Sequence, residues 1–184
     1  ADLEASLDLA TTDATLTVTN GITLNKWHHV AATYSDDGDD EITVYIDGIA
    51  KGPSSNGSGA PASTDTANLL IGGSSTTNYH GFIDEFKVYD EERSSDEIKT
   101  DFVKIATLRG SSASFGDTDT YLSDGLVGYW KMDESSWTND CSTDTVTDSS
   151  GNGGSGDACP TSTGPTGGAA GKFSRAGNFD GTDD

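Results

Sequence analysis

Between residues 3 and 90 the apolar side chains fall on alternate positions, in short runs that Gly, Asp and Asn interrupt. Leu3, Ala5, Leu7 and Leu9 alternate with polar residues, and Leu16 and Val18 alternate inside a run of threonines. Residues 27–34 (WHHVAATY) are aromatic and β-branched, which favours a strand. Residues 41–47 (EITVYID) place Ile42, Val44 and Ile46 on one face, and Asp47-Gly48 then signals a hairpin. Residues 68–72 (NLLIG) and 81–90 (GFIDEFKVYD) read as two further strands. The acidic cluster at residues 36–40 and the stretch 52–66 read as turn and loop. A period of two turns one face of each segment to a core and the other to solvent. Short strands separated by turn chemistry predict an all-β fold, an antiparallel β-sandwich or jelly roll.

The period then changes. Ser94 and Glu97 have the spacing of a capping box, and Ile98, Phe102 and Ile105 follow at helical intervals. This predicts one short helix near 95–105. Residues 110–124 are mostly Ser, Asp, Gly and Thr, the composition of a linker. Alternation resumes at residues 125–132 (GLVGYWKM) and again at 172–180 (KFSRAGNFD). The intervening residues 133–170 read as one long polar stretch.

Charge narrows the partners. The 184 residues hold 10 basic and 31 acidic side chains, for a net charge of −21. Such a chain repels phosphate backbones and anionic membrane surfaces, so neither nucleic acid nor a membrane is expected as partner. No apolar run approaches the roughly 18 residues that a spanning helix needs. With 24 Thr and 22 Ser the chain is also rich in hydroxyls.

Cys141 and Cys159 are the only cysteines, and they flank a segment of Ser, Thr, Gly and Asp. They suit a disulfide that pins this loop, with two free thiols as the alternative. No CxxC pair or neighbouring His supports zinc. Acidity, hydroxyl content, few lysines and a disulfide together suggest an extracellular protein. Asn56-Gly57-Ser58 spells a glycosylation sequon, which matters only in a eukaryotic secretory route. The chain starts at Ala1, has Met132 as its only methionine and stops at Asp184 within a strand–turn pattern, so it reads as a piece of a longer chain.

Catalytic patterns fail one by one. Gly151, Gly153 and Gly156 spell GxGxxG, but no buried strand leads in and Cys159-Pro160 breaks the helix that the motif needs after it. His28, His29 and His80 lack HExxH spacing, and GxSxG is absent. Adjacent carboxylates such as Asp84-Glu85 face opposite ways on a strand, so they form no glycosidase dyad. Trp27 and Trp130 lie in alternating segments and are expected in the core. Trp137, and Tyr79 in another polar stretch, are candidates to face a ligand.

These segments resemble a known family. Residues 27–34 followed by Val44-Tyr45-Ile46-Asp47-Gly48 look like the middle of a laminin-G-like, concanavalin A-like jelly roll. Residues 68–73 and 81–89 resemble its last strands, and residues 95–98 its exit segment. Residues 125–134 (GLVGYWKMDE) resemble the family's opening strand, residues 148–153 (DSSGNG) the loop after it, and residues 171–181 the next strand. The halves therefore stand in reversed order. Residues 1–92 resemble a C-terminal half, 93–123 are a short helix and linker, and 124–184 resemble an N-terminal half. The chain is then either cut from a tandem repeat or circularly permuted, with the two halves completing one domain.

The resemblance implies a non-catalytic extracellular binding or adhesion module for a glycan or an extracellular protein. It further implies a structural Ca²⁺ where the last strand passes the first. By position Asp84 and Asp133 are the ligands, with carbonyls near Gly151 to Gly153 as additional oxygens and Asp180 as a weaker candidate. A hard cation wants several oxygens, and an acidic chain supplies them. The alternative is a spacer repeat, or a fibre or surface-assembly subunit, with no ligand of its own. Self-association through unpaired strands is a further expectation where the two halves do not complete one another within the chain. An enzyme of the same fold would need paired acids on one strand, and the sequence has none.

Overall fold

The computed structural model describes residues 1–36, 40–54, 56–59, 69–73, 78–107, 123–161 and 163–182, with backbone alone at 105–107. It holds antiparallel strands and one helix, as the period of two and its single change predicted. The chain forms two compact units. One is Ala1–Thr66 with Glu91–Asp124, and the other is Ala67–Asp90 with Gly125–Asp184.

In the first unit β1 (Leu3–Leu7) pairs with β2 (Ala14–Val18), from Leu3 opposite Val18 to Leu7 opposite Ala14. A second sheet joins β3 (Val30–Ser35), β4 (Glu41–Ile46) and β5 (Ile49–Ala50) in that order. Leu9, Ala14 and Ile42 are buried between the layers, with Ala5, Leu7, Leu16 and Tyr34 packed around them. These are the alternating apolar positions, so this core follows directly from the pattern. The hairpin between β4 and β5 turns at Asp47 and Gly48, whose φ values of 53° and 74° are both left-handed. A two-residue hairpin of this kind demands that conformation, and Asp and Gly tolerate it.

Asp47 does more than turn. Its carboxylate lies 2.9 Å from His28 Nδ1 and accepts the His29 amide at 3.0 Å. The segment before β3 is therefore held by that side chain and by one main-chain bond, from Asp47 N to the His29 carbonyl at 2.8 Å. The strand expected at 27–34 begins only at Val30. Trp27 consequently stays 39% exposed, which corrects its expected place in the core.

The helix α1 (Ser95–Thr107) begins on its capping box. Ser94 N donates to Glu97 Oε2 at 2.8 Å, and Glu97 N donates back to Ser94 Oγ at 3.4 Å. Ile98 is buried, and Phe102 packs on Gly48 and lies 6.1 Å from the His29 ring. Tyr45 Oη meets Ser95 Oγ at 3.1 Å. The side chain of Ile105 lies outside the described residues, as do Asn68, residues 37–39 of the acidic turn and residues 110–122 of the linker.

The second unit draws strands from both sides of the helix. β6 (His80–Ile83) joins β11 (Thr166–Ala170) and β12 (Arg175–Asp180) in the order β11-β12-β6. β7 (Phe86–Tyr89) pairs with β8 (Leu126–Trp130), and β9 (Asp144–Val146) with β10 (Gly156–Asp157). Three of these strands, β9, β10 and β11, lie in the stretch expected to be one polar loop. Their sequences (DTV, GD and TGGAA) carry no apolar alternation, so only hydrogen bonding to neighbours defines them. Residues 69–72, expected as a strand, form none; Gly73 and Asn78 make an isolated bridge beside them.

Phe179 is 2% exposed and centres this unit, with Met132, Val146, Ala158 and Ala176 also buried. Gly72 approaches its ring so closely that a Cβ there would lie 2.2 Å from Phe179 Cδ1, at a φ of 99°. Cys141 and Cys159 are joined as a disulfide with Cα atoms 5.0 Å apart. Replacing Cys141→Ser and Cys159→Ser together frees this loop in the unfolded chain and should cost about 3 kcal/mol. Urea unfolding of the two proteins checks this; coincident midpoints would show that the loop is held by its hydrogen bonds alone.

Candidate functional site

β6 and β7 run consecutively yet enter different sheets, because the chain turns sharply between them. Glu85 has a φ of 58°, and this left-handed residue breaks the strand predicted to run on to residue 90. Asp84 and Glu85 sit at the break and point to different partners. Asp84 Oδ2 accepts the Phe173 amide at 2.8 Å. Glu85 accepts the Tyr129 hydroxyl in a short hydrogen bond. Asp133, just past β8, accepts the Arg175 amide at 3.0 Å. The two carboxylates predicted as metal ligands therefore serve amides two residues apart, on either side of Ser174.

Asp84 is incompletely satisfied. Its Oδ1 is buried and has no hydrogen-bond partner. Burial pushes its pKa up to about 6, the Phe173 amide opposes that rise, and the negative charges of Glu85 and Asp133 add to it. A buried carboxylate oxygen without a donor is costly, and a cation is one way to satisfy it. Among the described residues no three His, Cys, Asp or Glu side chains are grouped to hold a metal. An ion here would bind Asp84 and Asp133 and complete its shell with main-chain carbonyls and water. That donor set is all oxygen, which suits Ca²⁺.

The other expected oxygen donors lie elsewhere. The loop holding Gly151 to Gly153 is tied to the far end of β8, where Asn152 Nδ2 donates to the Leu126 and Val127 carbonyls at 3.0 Å. Asp148 organises that loop by accepting the amides of Tyr129, Ser150 and Gly154. Those amides hold its pKa well below the ordinary carboxylate range, the Ser150 amide most strongly. Asp180 caps its own turn by accepting Thr182 N at 2.9 Å and the Thr182 hydroxyl.

The aromatic candidates meet at Phe179. Tyr79 and Trp137 each stand edge-on to it, with centroids 6.3 Å away and interplanar angles of 67° and 68°. Trp137 also covers Gly167 and Gly177, where a Cβ would come within 2.6 Å and 2.4 Å of its ring. Its Nε1 donates to Glu134 at 3.2 Å. Tyr79 is 48% exposed. Trp130, expected in the core, is only half-buried, and packs on Phe86 with centroids 6.0 Å apart.

One cluster escaped the sequence reading. Lys87 Nζ and Lys131 Nζ lie 4.9 Å and 5.5 Å from the centre of the Tyr129 ring. Burial raises the Tyr129 pKa, and its bond to Glu85 raises it further. Their meeting depends on pairing β7 with β8, which sets Lys87 opposite Tyr129.

An all-β fold of short antiparallel strands with a single helix defines the class, and comparison with known proteins gives the family. Residues 2–99 match the Laminin_G_3 family model, described as the concanavalin A-like lectin/glucanases superfamily. The chain belongs to this family. It is also similar to a solved structure of an S-layer domain-containing protein (residues 221–444) from Clostridium thermocellum ATCC 27405. The two share 30% identity over 55% of this chain and 51% of that one, with a TM-score of 0.39. The chain thus spans about half the length of that structure. No curated protein matches.

Asp84 makes a pH prediction. Its folded pKa lies above the ordinary value of 3.8, so the folded state holds this proton more tightly than the unfolded chain does. The contribution is fully present below about pH 4 and is lost as pH rises through about 6. In chelator, stability should therefore fall across that window, and Asp84→Asn should flatten the fall. Denaturant midpoints at half-unit pH steps check this; an identical slope in the variant would assign the effect to other groups.

Proposed function

We propose that this chain is a non-catalytic extracellular binding module, for a glycan or a surface protein, closed by a structural Ca²⁺ at Asp84 and Asp133. The observation that carries the reading is the buried Asp84 Oδ1, which has no donor. Asp133 raises the Asp84 pKa by its charge, so two carboxylates repel each other at this point. A bound Ca²⁺ would supply positive charge to both. The residues of this chain would do the rest: Asp84 ties the β6–β7 break to Phe173, and Asp133 ties the end of β8 to Arg175.

Family membership and the acidic surface support a binding role outside the cell. Tyr79 is the side chain offered to a ligand, since nearly half of it is exposed. Trp137 backs it through the shared Phe179 and so fixes its position. Aromatic rings of this kind stack on the apolar faces of sugars while their polar tips stay wet.

Thermal unfolding in millimolar CaCl₂ and in excess EDTA tests the ion. The melting temperature should rise with Ca²⁺, by the equivalent of roughly 2.7 kcal/mol at a hundredfold excess over Kd. Asp84→Asn should abolish the rise and Asp133→Asn should reduce it. No rise in the unaltered chain would remove the ion and leave a spacer repeat as the better reading. A polysaccharide array tests the ligand, where Tyr79→Ala should lose retention while circular dichroism shows the fold retained.

A further inference from the structure

Both strands of residues 80–89 take their hydrogen-bond partners from the far side of the helix. β6 pairs with β12, with Ile83 opposite Gly177, Phe82 opposite Asn178, Gly81 opposite Phe179 and His80 opposite Asp180. β7 pairs with β8, with Phe86 opposite Trp130 and Lys87 opposite Tyr129. Among the described residues neither β6 nor β7 pairs with a strand of its own segment. The side-chain contacts across this seam follow the same division: Asp84 with Phe173, Glu85 with Tyr129, and Tyr79 with Phe179.

The later segment is held together by itself. Its disulfide, the β9–β10 pair, the β11–β12 pair and the Trp137–Phe179 contact all lie within residues 125–182. The connection between the two sides is Glu91–Asp124, and its helix is packed in the other unit, where Phe102 meets Gly48 and His29. The chain therefore consists of an acceptor, which carries two strands lacking local partners among the described residues, and a donor with contacts of its own. An identical acceptor exists on every copy.

We propose that residues 125–182 pair with β6 and β7 of a second copy of this chain, so that copies join by strand exchange. The exchanged ladders repeat every contact of the closed form, so contact energy does not separate the two forms. What separates them is the effective concentration that the connection sets. Below that concentration the closed form is favoured. Above it, or where copies are held side by side, exchange is favoured. Two copies exchanging reciprocally close a dimer, whereas one-way exchange from copy to copy makes a chain. This differs from adhesion through bare strand edges, because the edges used are those already paired in the closed form. It does not require the ligand, and a Ca²⁺ at Asp84 and Asp133 would join acceptor to donor alike in both forms.

His80 and Asp180 give the test, since both are exposed and stand opposite each other in the ladder. Directly opposed residues have Cα atoms about 4.5–5.5 Å apart, within the reach of a disulfide. One preparation carries His80→Cys alone and another Asp180→Cys alone. They are mixed, unfolded in urea with the native disulfide intact, refolded at millimolar concentration and oxidised. Exchange predicts a reducible dimer band from this mixture. A mixture of His80→Cys with Ser174→Cys, which is off the ladder, should give none. A chain carrying both His80→Cys and Asp180→Cys, oxidised while dilute, should be locked closed and remain monomeric when concentrated. Absence of the mixed dimer, or assembly of the locked chain, would overturn the proposal. Sedimentation of the unaltered chain covers the case of variants that fail to fold: dimer or larger species must grow with concentration, and a monomer at every concentration overturns it.

Discussion

The pairing of residues 80–89 with β8 and β12 is the constraint on which the second unit depends. Two short strands that are adjacent in sequence give all their ladder bonds to segments from beyond the helix. Two of its main packing contacts follow from this pairing. Phe179 is enclosed because β12 lies beside β6, and Trp130 packs on Phe86 because β8 lies beside β7. The left-handed Glu85 makes this possible by sending β6 and β7 into separate sheets. Closing such a unit costs loop entropy, but that cost grows only slowly with the length of the connection.

Aspartates perform much of the work that apolar burial performs elsewhere. With a net charge of −21 the chain would be expected to carry its acids as a solvated surface. Instead Asp47, Asp84, Asp133, Asp148 and Asp180 each accept at least one backbone amide. Asp140 does the same inside the disulfide loop. It accepts Ser142 N and Thr143 N, and the bonds from Thr143 lower its pKa most, to about 2. A carboxylate that accepts several amides is stabilised in its charged form. The long loops are thereby stitched without a large core. Asp84 departs from this pattern, since burial outweighs the amides of Phe173 and Lys172 and raises its pKa.

The sequence showed the first unit more clearly than the second, and the reason is physical. In β1, β2 and β4 one face is buried against apolar neighbours, so alternation reports the strand. Asp47-Gly48 and the Ser94–Glu97 box carry their own local chemistry, and both formed as read. β11 (TGGAA) is held by pairing with β12, and a strand defined by its neighbour leaves no period. Trp27 misled because the paired strand begins only at Val30, so the tryptophan lies outside it. Within the candidate site, the resemblance pointed to Asp84 and Asp133 as residues of interest. Their service to Phe173 and Arg175, and the Glu85–Tyr129–Lys87–Lys131 cluster, were not.

Sequence alone therefore determined the local terms: an all-β chain, one capped helix, the hairpin at Asp47-Gly48 and the two cysteines that pair. Each of these depends on residues close together or on a one-dimensional pattern. The tertiary structure decided which strands meet, because antiparallel partners are chosen by burial and register between distant segments. It placed Tyr79 and Trp137 on the same buried Phe179 and left Asp84 Oδ1 without a donor. Such relations belong to pairs of segments and have no expression in either segment read by itself.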